Sequence, residues 1–280
     1  MLQTRGLSRA LATLALTVLS IPALAQYEIA QIPFFNSPAG SAGLGGGIRL
    51  ANDLYFAVEN EDQRQFDLVP LYLYNGKVVF ARGTSGGLHL FRNEKLEFNL
   101  LLRYRFQKLD PDRNDFYDGL ETRRQSLDGG IELRLRGKWG DLNANYLTDT
   151  LDRHKGQSAE IAYHYNIDRG RFSFSPFLGW AWNDDKLTNY YFGVSADEAR
   201  ADRPEYTPGE SQWVSYGLNT AWHLSSRVTF FANMGFGSVD TAVADSPLVE
   251  EDGSAAVFAG GTFTFGNVRE PTAYISPERF

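Results

Sequence analysis

The chain has no cysteine, so it forms no disulfide and offers no thiolate for catalysis or zinc binding. It has no run approaching the roughly 20 apolar residues that a membrane-spanning helix needs, and no segment with amphipathic-helical periodicity. Positive charge is not in excess either. Lys and Arg number 27 against 34 Asp and Glu, a formal net charge of −7. Nucleic acid, which requires a basic footprint, is therefore not an expected partner. The four histidines, His89, His154, His164 and His223, show no HExxH or other close metal spacing. GxGxxG and GxSxG are absent, so no cofactor and no enzymatic activity are expected. Glycine and aromatics are plentiful: 27 Gly, 20 Phe, 14 Tyr and 5 Trp. With no long apolar runs, that mixture suits the wall of a β-barrel better than a soluble core.

The first 25 residues read as a secretory signal peptide. Arg5 and Arg9 form a positive start, Leu11 to Leu19 a short apolar run, and Ala23-Leu24-Ala25 a small-x-small cleavage site. The apolar run is too short for a spanning anchor. Cleavage would remove two basic residues and no acids, taking the formal charge to −9. Residues 26–40, punctuated by proline, read as a periplasmic lead-in, 41–265 as the barrel, and 266–280 as a C-terminal extension.

The stretch Arg171 to Gly193 shows the pattern best. Phe172, Phe174, Pro176, Leu178, Trp180 and Trp182 share one face, while Arg171, Ser173, Ser175, Phe177, Gly179 and Ala181 share the other. Alternation with period two over about eleven residues is the length of a tilted membrane strand. The two tryptophans would lie at the lipid–water boundary. Phe66–Tyr74, Glu97–Phe106, Ile131–Arg136, Asp141–Leu147, Ser158–Tyr165, Val214–Leu224, Arg227–Phe236 and Ala255–Phe265 alternate too, and Ser41–Leu50 reads as a glycine-bearing wall strand. Asn75-Gly76 reads as a hairpin turn. Lys77–Phe91 reads either as one long strand with a glycine bulge or as two short ones. Taken as one, and with Leu187–Gly193 counted as a strand, the total is twelve (ten is the alternative). The predicted class is an all-β, antiparallel, outer-membrane-type barrel, since no element is left to cover the apolar faces except lipid. An even count puts both termini in the periplasm. Parity then sends Ala51–Gln65, Val194–Gln212 and Gly237–Ser254 outside the cell, and the acidic segment Gln107–Asp128 to the periplasmic side.

That segment holds Asp110, Asp112, Asn114, Asp115, Asp118 and Glu121. Asp110, Asp112, Asn114, Asp118 and Glu121 fall at calcium-loop spacing, but Asp115 occupies the position where the turn needs glycine. A solvated acidic loop, available for docking a partner, is the better reading. His154 and Ser158 resemble a hydrolytic pair but lack a spaced Asp or Asn to orient the histidine. The polar strand faces place Glu97, Arg103, Arg105, Glu132, Arg134, Arg136 and Glu160 in the lumen, where opposite charges would pair and narrow the pore.

Specific blocks also carry a resemblance. Tyr191-Phe192-Gly193-Val194-Ser195 with Glu198-Ala199, and Asp245-Ser246-Pro247-Leu248-Val249, are the specific ones, and Arg203-Pro204-Glu205-Tyr206-Thr207-Pro208-Gly209 lies between them. With Leu68-Val69-Pro70-Leu71 and Leu102-Arg103-Tyr104-Arg105-Phe106 they make the chain resemble the MipA/OmpV family of outer-membrane proteins. The resemblance implies a Gram-negative outer-membrane barrel in contact with lipid and lipopolysaccharide. In one branch it implies a scaffold joining a murein lytic transglycosylase to a penicillin-binding protein. The expected function is thus a non-enzymatic scaffold for murein enzymes, docked through 107–128. A narrow porin and a surface adhesin using residues 194–212 and 237–254 are the alternatives. The family usually ends on the aromatic of its last strand, here Phe265, whereas this chain runs on to Phe280.

Overall fold

Residues 40–52, 64–113, 115–250 and 253–266 are described by a computed structural model. The expected signal peptide, nearly all of the lead-in and extension, and most of the first long loop lie outside them. Alternation becomes strand throughout: β1 (Ser41–Asn52), β2 (Arg64–Asn75), β3 (Val79–Gly83), β4 (Ser85–Arg92), β5 (Leu96–Arg105), β6 (Ser126–Gly137), β7 (Gly140–Asp149), β8 (Gln157–His164), β9 (Ile167–Arg169), β10 (Phe172–Asn183), β11 (Ser211–His223), β12 (Val228–Val239) and β13 (Gly253–Gly266). All pairings are antiparallel, and β13 closes on β1 with Gly266 opposite Ser41. β8 and β9 both pair with β10, so they form one stave broken at Tyr165 and Asn166. The result is a closed barrel of twelve staves. Its outward residues are the apolar ones: Leu68, Tyr72, Leu100, Leu102, Leu178 and Tyr216 are all exposed, as lipid-facing side chains must be.

The count of twelve is right, but its parts differ from the expectation in two places. Lys77–Phe91 is not one strand: β3 and β4 fold back at Gly83-Thr84. Gly83 has φ +64°, a conformation that glycine supplies cheaply in a tight turn. The hairpin is short, and β3 pairs with β2 only from Tyr72 to Asn75. The N–H of Gly76 bonds to the carbonyl of Val79, so even-numbered residues of β2 aim their backbone groups at the β3 side. Pro70 therefore sits where β2 has outrun β3 and a missing N–H costs no ladder bond.

Leu187–Gly193 is not a strand either. It lies in helix α1 (Asp185–Phe192) and its C-cap, with Asp184 as N-cap accepting from the Leu187 N–H. An acidic cap beside the first turn favours helix here. A second, four-residue helix, α2 (Thr241–Ala244), follows β12.

The extra crossing at β3–β4 corrects the sidedness. The segment 107–128 does not lie opposite the other long connections. Turns 76–78, 93–95, 138–139, 170–171 and 224–227 occupy one end, and the described residues of 106–125, 150–156, 184–210 and 240–250 the other. Short periplasmic turns and long outer loops are the rule in such barrels, so 106–125 belongs to the outer end.

Inward-facing glycines let aromatic rings lie against the wall. A Cβ on Gly47 would sit 2.5 Å from the Phe258 ring, and one on Gly217 would sit 2.8 Å from Phe177. These rings, with Phe231, Val69, Leu71 and Leu73, fill one half of the lumen as a buried apolar cluster.

Candidate functional site

The other half of the lumen is charged. From β5 come Glu97, Asn99, Arg103 and Arg105, from β6 Asp128, Glu132 and Arg134, and from β8 Ser158 and Glu160. Arg82, on β3, forks between two carboxylates, at 2.7 Å from Glu97 and 2.8 Å from Glu132. Glu97 also meets Arg136 at 3.1 Å and Arg92 at 3.2 Å. Higher up, Arg103 reaches Glu160 at 2.7 Å, and Arg105 reaches Asp128 at 2.7 Å. Arg134 donates to Asn143 at 2.9 Å, and Asn99 donates to Glu132 at 2.7 Å. Side chains that are charged and nearly water-free cost several kcal/mol each unless paired in this way. The lumen is thus packed by its own wall, half by rings and half by a hydrogen-bonded charge ladder.

The charges Glu97, Arg103, Arg105, Glu132, Arg134, Arg136 and Glu160 lie on the less exposed faces of β5, β6 and β8 and take part in these contacts. Arg82 was not anticipated because a single strand over 77–91 hides the hairpin that turns it inward. Asp128 was hidden at the end of a presumed loop, although it stands at even parity with Glu132 and Arg134.

His154 donates from Nε2 to Asp128 at 3.0 Å, because its Nδ1 already accepts the Gly156 N–H at 3.1 Å. Both ring nitrogens are occupied, and Ser158 Oγ is bonded to Arg105 at 3.3 Å. The histidine is not placed to act as a base on Ser158. Among the described residues, Asp128, Asp149 and His154 are the one group whose ligand atoms gather within 4.8 Å. Asp149 already accepts from Ser126 Oγ at 2.7 Å and from the backbone N–H groups of Leu151 and Lys155. The group clamps the loop 150–156 onto the barrel.

Above the ladder, the outer loops fold into a cap with its own core. Leu109, Tyr117 and Leu120 meet Leu187, Tyr191 and Phe192 of α1, and Val194, Trp213, Val243 and Leu248 complete the cluster. Two arginines fasten the loop 106–125 to the loop after α1. Arg123 donates to both oxygens of Glu198, at 2.8 and 2.9 Å. Arg203, fully buried, donates to the carbonyls of Phe116, Asp118 and Glu198. Burial opposes ionisation of Glu198, but the N–H groups of Glu121 and Ser195 and the Arg123 guanidinium outweigh it. The carboxyl is held below its usual range. Burial also pushes the Tyr191 phenol up, keeping it a donor to the Arg124 carbonyl.

The expected docking residues Asp110, Asp112, Asp115, Asp118 and Glu121 are all exposed on the outside of this cap. Asn114 lies outside the described residues. Asp112 N–H bonds to Asp110 Oδ1 at 3.2 Å, a local turn. Asp115 and Asp118 lend their backbone carbonyls to Arg200.

Residues 44–265 match the family described as MltA-interacting protein MipA. The chain belongs to that family. The MltA-interacting protein of Escherichia coli (strain K12) is 25% identical over 230 residues, covering 81% of this chain and 91% of its own. The protein YiaT of the same organism is 26% identical over 237 residues, covering 84% and 95%. The outer membrane protein OmpV of Vibrio cholerae is 26% identical over 141 residues, covering 50% and 55%. Among solved structures, an outer membrane channel from Pseudomonas putida F1 overlaps 88% of this chain and 100% of its own. Its identity is 10% and its TM-score 0.42, too loose to bear on role. This member of the MipA family is an outer-membrane barrel. Its blocks at 191–195, 198–209 and 245–249 lie in the cap rather than in the lumen.

Proposed function

We propose that this barrel is a non-enzymatic scaffold of the outer membrane that holds murein-cutting and murein-building enzymes at the envelope, rather than a pore. The observation that carries this reading is the filled lumen. Arg82, Arg103 and Arg105 bridge strand to strand through buried carboxylates, and a packed cap covers the outer mouth. A solute channel keeps a hydrated path, with charges lining it rather than locked across it. The relative named MltA-interacting protein supports a lytic transglycosylase as one partner; a penicillin-binding protein is the companion to look for. Because 106–125 lies at the outer end, docking of periplasmic enzymes belongs to the turn end and the chain termini, and the acids 110–121 face outward.

The test is affinity capture of the tagged protein from its own cells after mild cross-linking. A lytic transglycosylase should co-purify, and should still do so after residues 110–121 are replaced by a short glycine-serine linker. Capture without any murein enzyme, together with a steady unit conductance in planar bilayers, would sink the scaffold and leave a narrow porin.

A further inference from the structure

The five short turns share a composition that neither strand formation nor barrel closure requires. Each carries an exposed cation: Lys77, Lys95, Lys138, Arg171 and Arg227. Glu94 is the one acid in these turns. The outer cap has the opposite balance: exposed acids such as Asp110, Asp112, Asp115, Asp118, Glu121 and Asp197 outnumber exposed cations such as Lys108 and Lys186. The molecule is therefore polarised along its axis, although its total charge is negative.

A second feature coincides with the first. Beside each cation, in the turn or at its strand end, stands an exposed large apolar side chain. Val78 follows Lys77, Trp139 follows Lys138 and Phe172 follows Arg171, while Phe91 near the end of β4 precedes Lys95 by four residues and Leu224 precedes Arg227 by three in the same turn. Val78 is 59% exposed and Trp139 48%. A cation beside an apolar or aromatic group suits the headgroup boundary of a bilayer, where the stem and ring lie against acyl chain and the charge meets phosphate. A purely aqueous partner, such as the carboxylate-bearing murein polymer, would account for the cations but not for apolar side chains held at the same level.

We propose that the turn end of the barrel is a collar for anionic phospholipid headgroups of the periplasmic leaflet. Each turn contributes one cation for the phosphate and one apolar side chain for the glycerol–acyl boundary. The collar would draw acidic lipid around the barrel's lower rim whatever partner the scaffold carries.

The experiment uses the full chain folded into phosphatidylcholine vesicles, with spin-labelled phosphatidylglycerol or phosphatidylcholine as probe. The motionally restricted fraction reports which lipid the wall selects. Phosphatidylglycerol should be preferred at least about threefold at low salt, the preference fading near ~0.5 M salt. Replacing all five cations (Lys77→Gln, Lys95→Gln, Lys138→Gln, Arg171→Gln, Arg227→Gln) should bring the ratio close to one. Should that variant not give a folded, heat-modifiable band, the pairs Lys77→Gln/Lys95→Gln and Arg171→Gln/Arg227→Gln must each lower the ratio in a folded barrel. Equal association of both lipids with the unaltered protein overturns the collar, as does a preference that the variants retain. Co-sedimentation with isolated murein sacculi in neutral detergent gives the competing outcome. Sacculus binding lost in the variant, without any lipid preference, would reassign the cations to murein.

Discussion

Arg82 is the residue on which the charged half of the lumen turns. Its guanidinium satisfies Glu97 and Glu132 together and lies 4.1 Å from the centre of the Phe80 ring, which packs with Leu101 and Leu147 in a small apolar cluster of its own. Arg82→Ala would leave two carboxylates buried with one shared partner removed, a loss of about 3–5 kcal/mol. Urea unfolding of the micelle-folded barrel should show it, while Arg82→Ala combined with Glu132→Gln should recover part of the loss. In the cap, Glu198 supplies a pH signature. Its folded-state pKa lies below the ordinary value of 4.5, so its contribution is fully present above that value and lost as pH falls through the folded one. Emission of Trp213, kept as the single tryptophan, should stay constant from pH 7 to about 4.5 and shift only below it. Glu198→Gln should show the low-pH emission throughout. A shift centred at pH 6 would contradict the assignment to Glu198.

At the level of strands and helices, alternation located nearly every stave, because each strand faces two solvents, lipid outside and a packed lumen inside. It erred at β3–β4 and at α1. Gly83 and the run Thr84 to Gly87 are equally compatible with a bulge and a reversal, and only the pairing of Val79 with Leu88 distinguishes them. In α1 the alternating apolar residues Leu187 and Tyr191 are also one helical turn apart, and Asp184 decides for the helix. Asp184→Ala should destabilise the cap locally by about 1 kcal/mol, visible as faster amide exchange at Leu187 and Thr188 with β10 unchanged. Gly156 should tolerate no side chain, since a Cβ there would lie 2.3 Å from Asp184 Oδ1 and 2.4 Å from the Leu187 nitrogen. Gly156→Val should therefore expose the cap to protease while the barrel stays heat-modifiable.

Across the molecule, the proposed scaffold has two barriers in series along its axis: the ladder of β3 to β8, beside the apolar cluster, and the cap above it. The unaltered protein should show no steady unit conductance in planar bilayers. Removing residues 110–121 should not by itself open it, because Arg103–Glu160 and Arg105–Asp128 remain. Combining that change with Arg103→Ala and Glu160→Ala should produce discrete openings. Openings from the loop change alone would place the only barrier in the cap.

The material of the wall was already settled by the order of residues along the chain. Period two, chain length per strand and the absence of any other covering element leave lipid as the only environment for so many exposed apolar faces. The inward side chains of β5, β6 and β8 were legible in the same way, since parity is a property of consecutive residues. The partners of those side chains emerge only in three dimensions, because Arg82 and Glu132 stand 50 residues apart and meet across intervening strands. The same holds for the end at which 106–125 emerges. One unrecognised reversal at Gly83 inverts the direction of every later strand until a second miscount restores it, and side-chain pattern along a single chain carries no record of that direction.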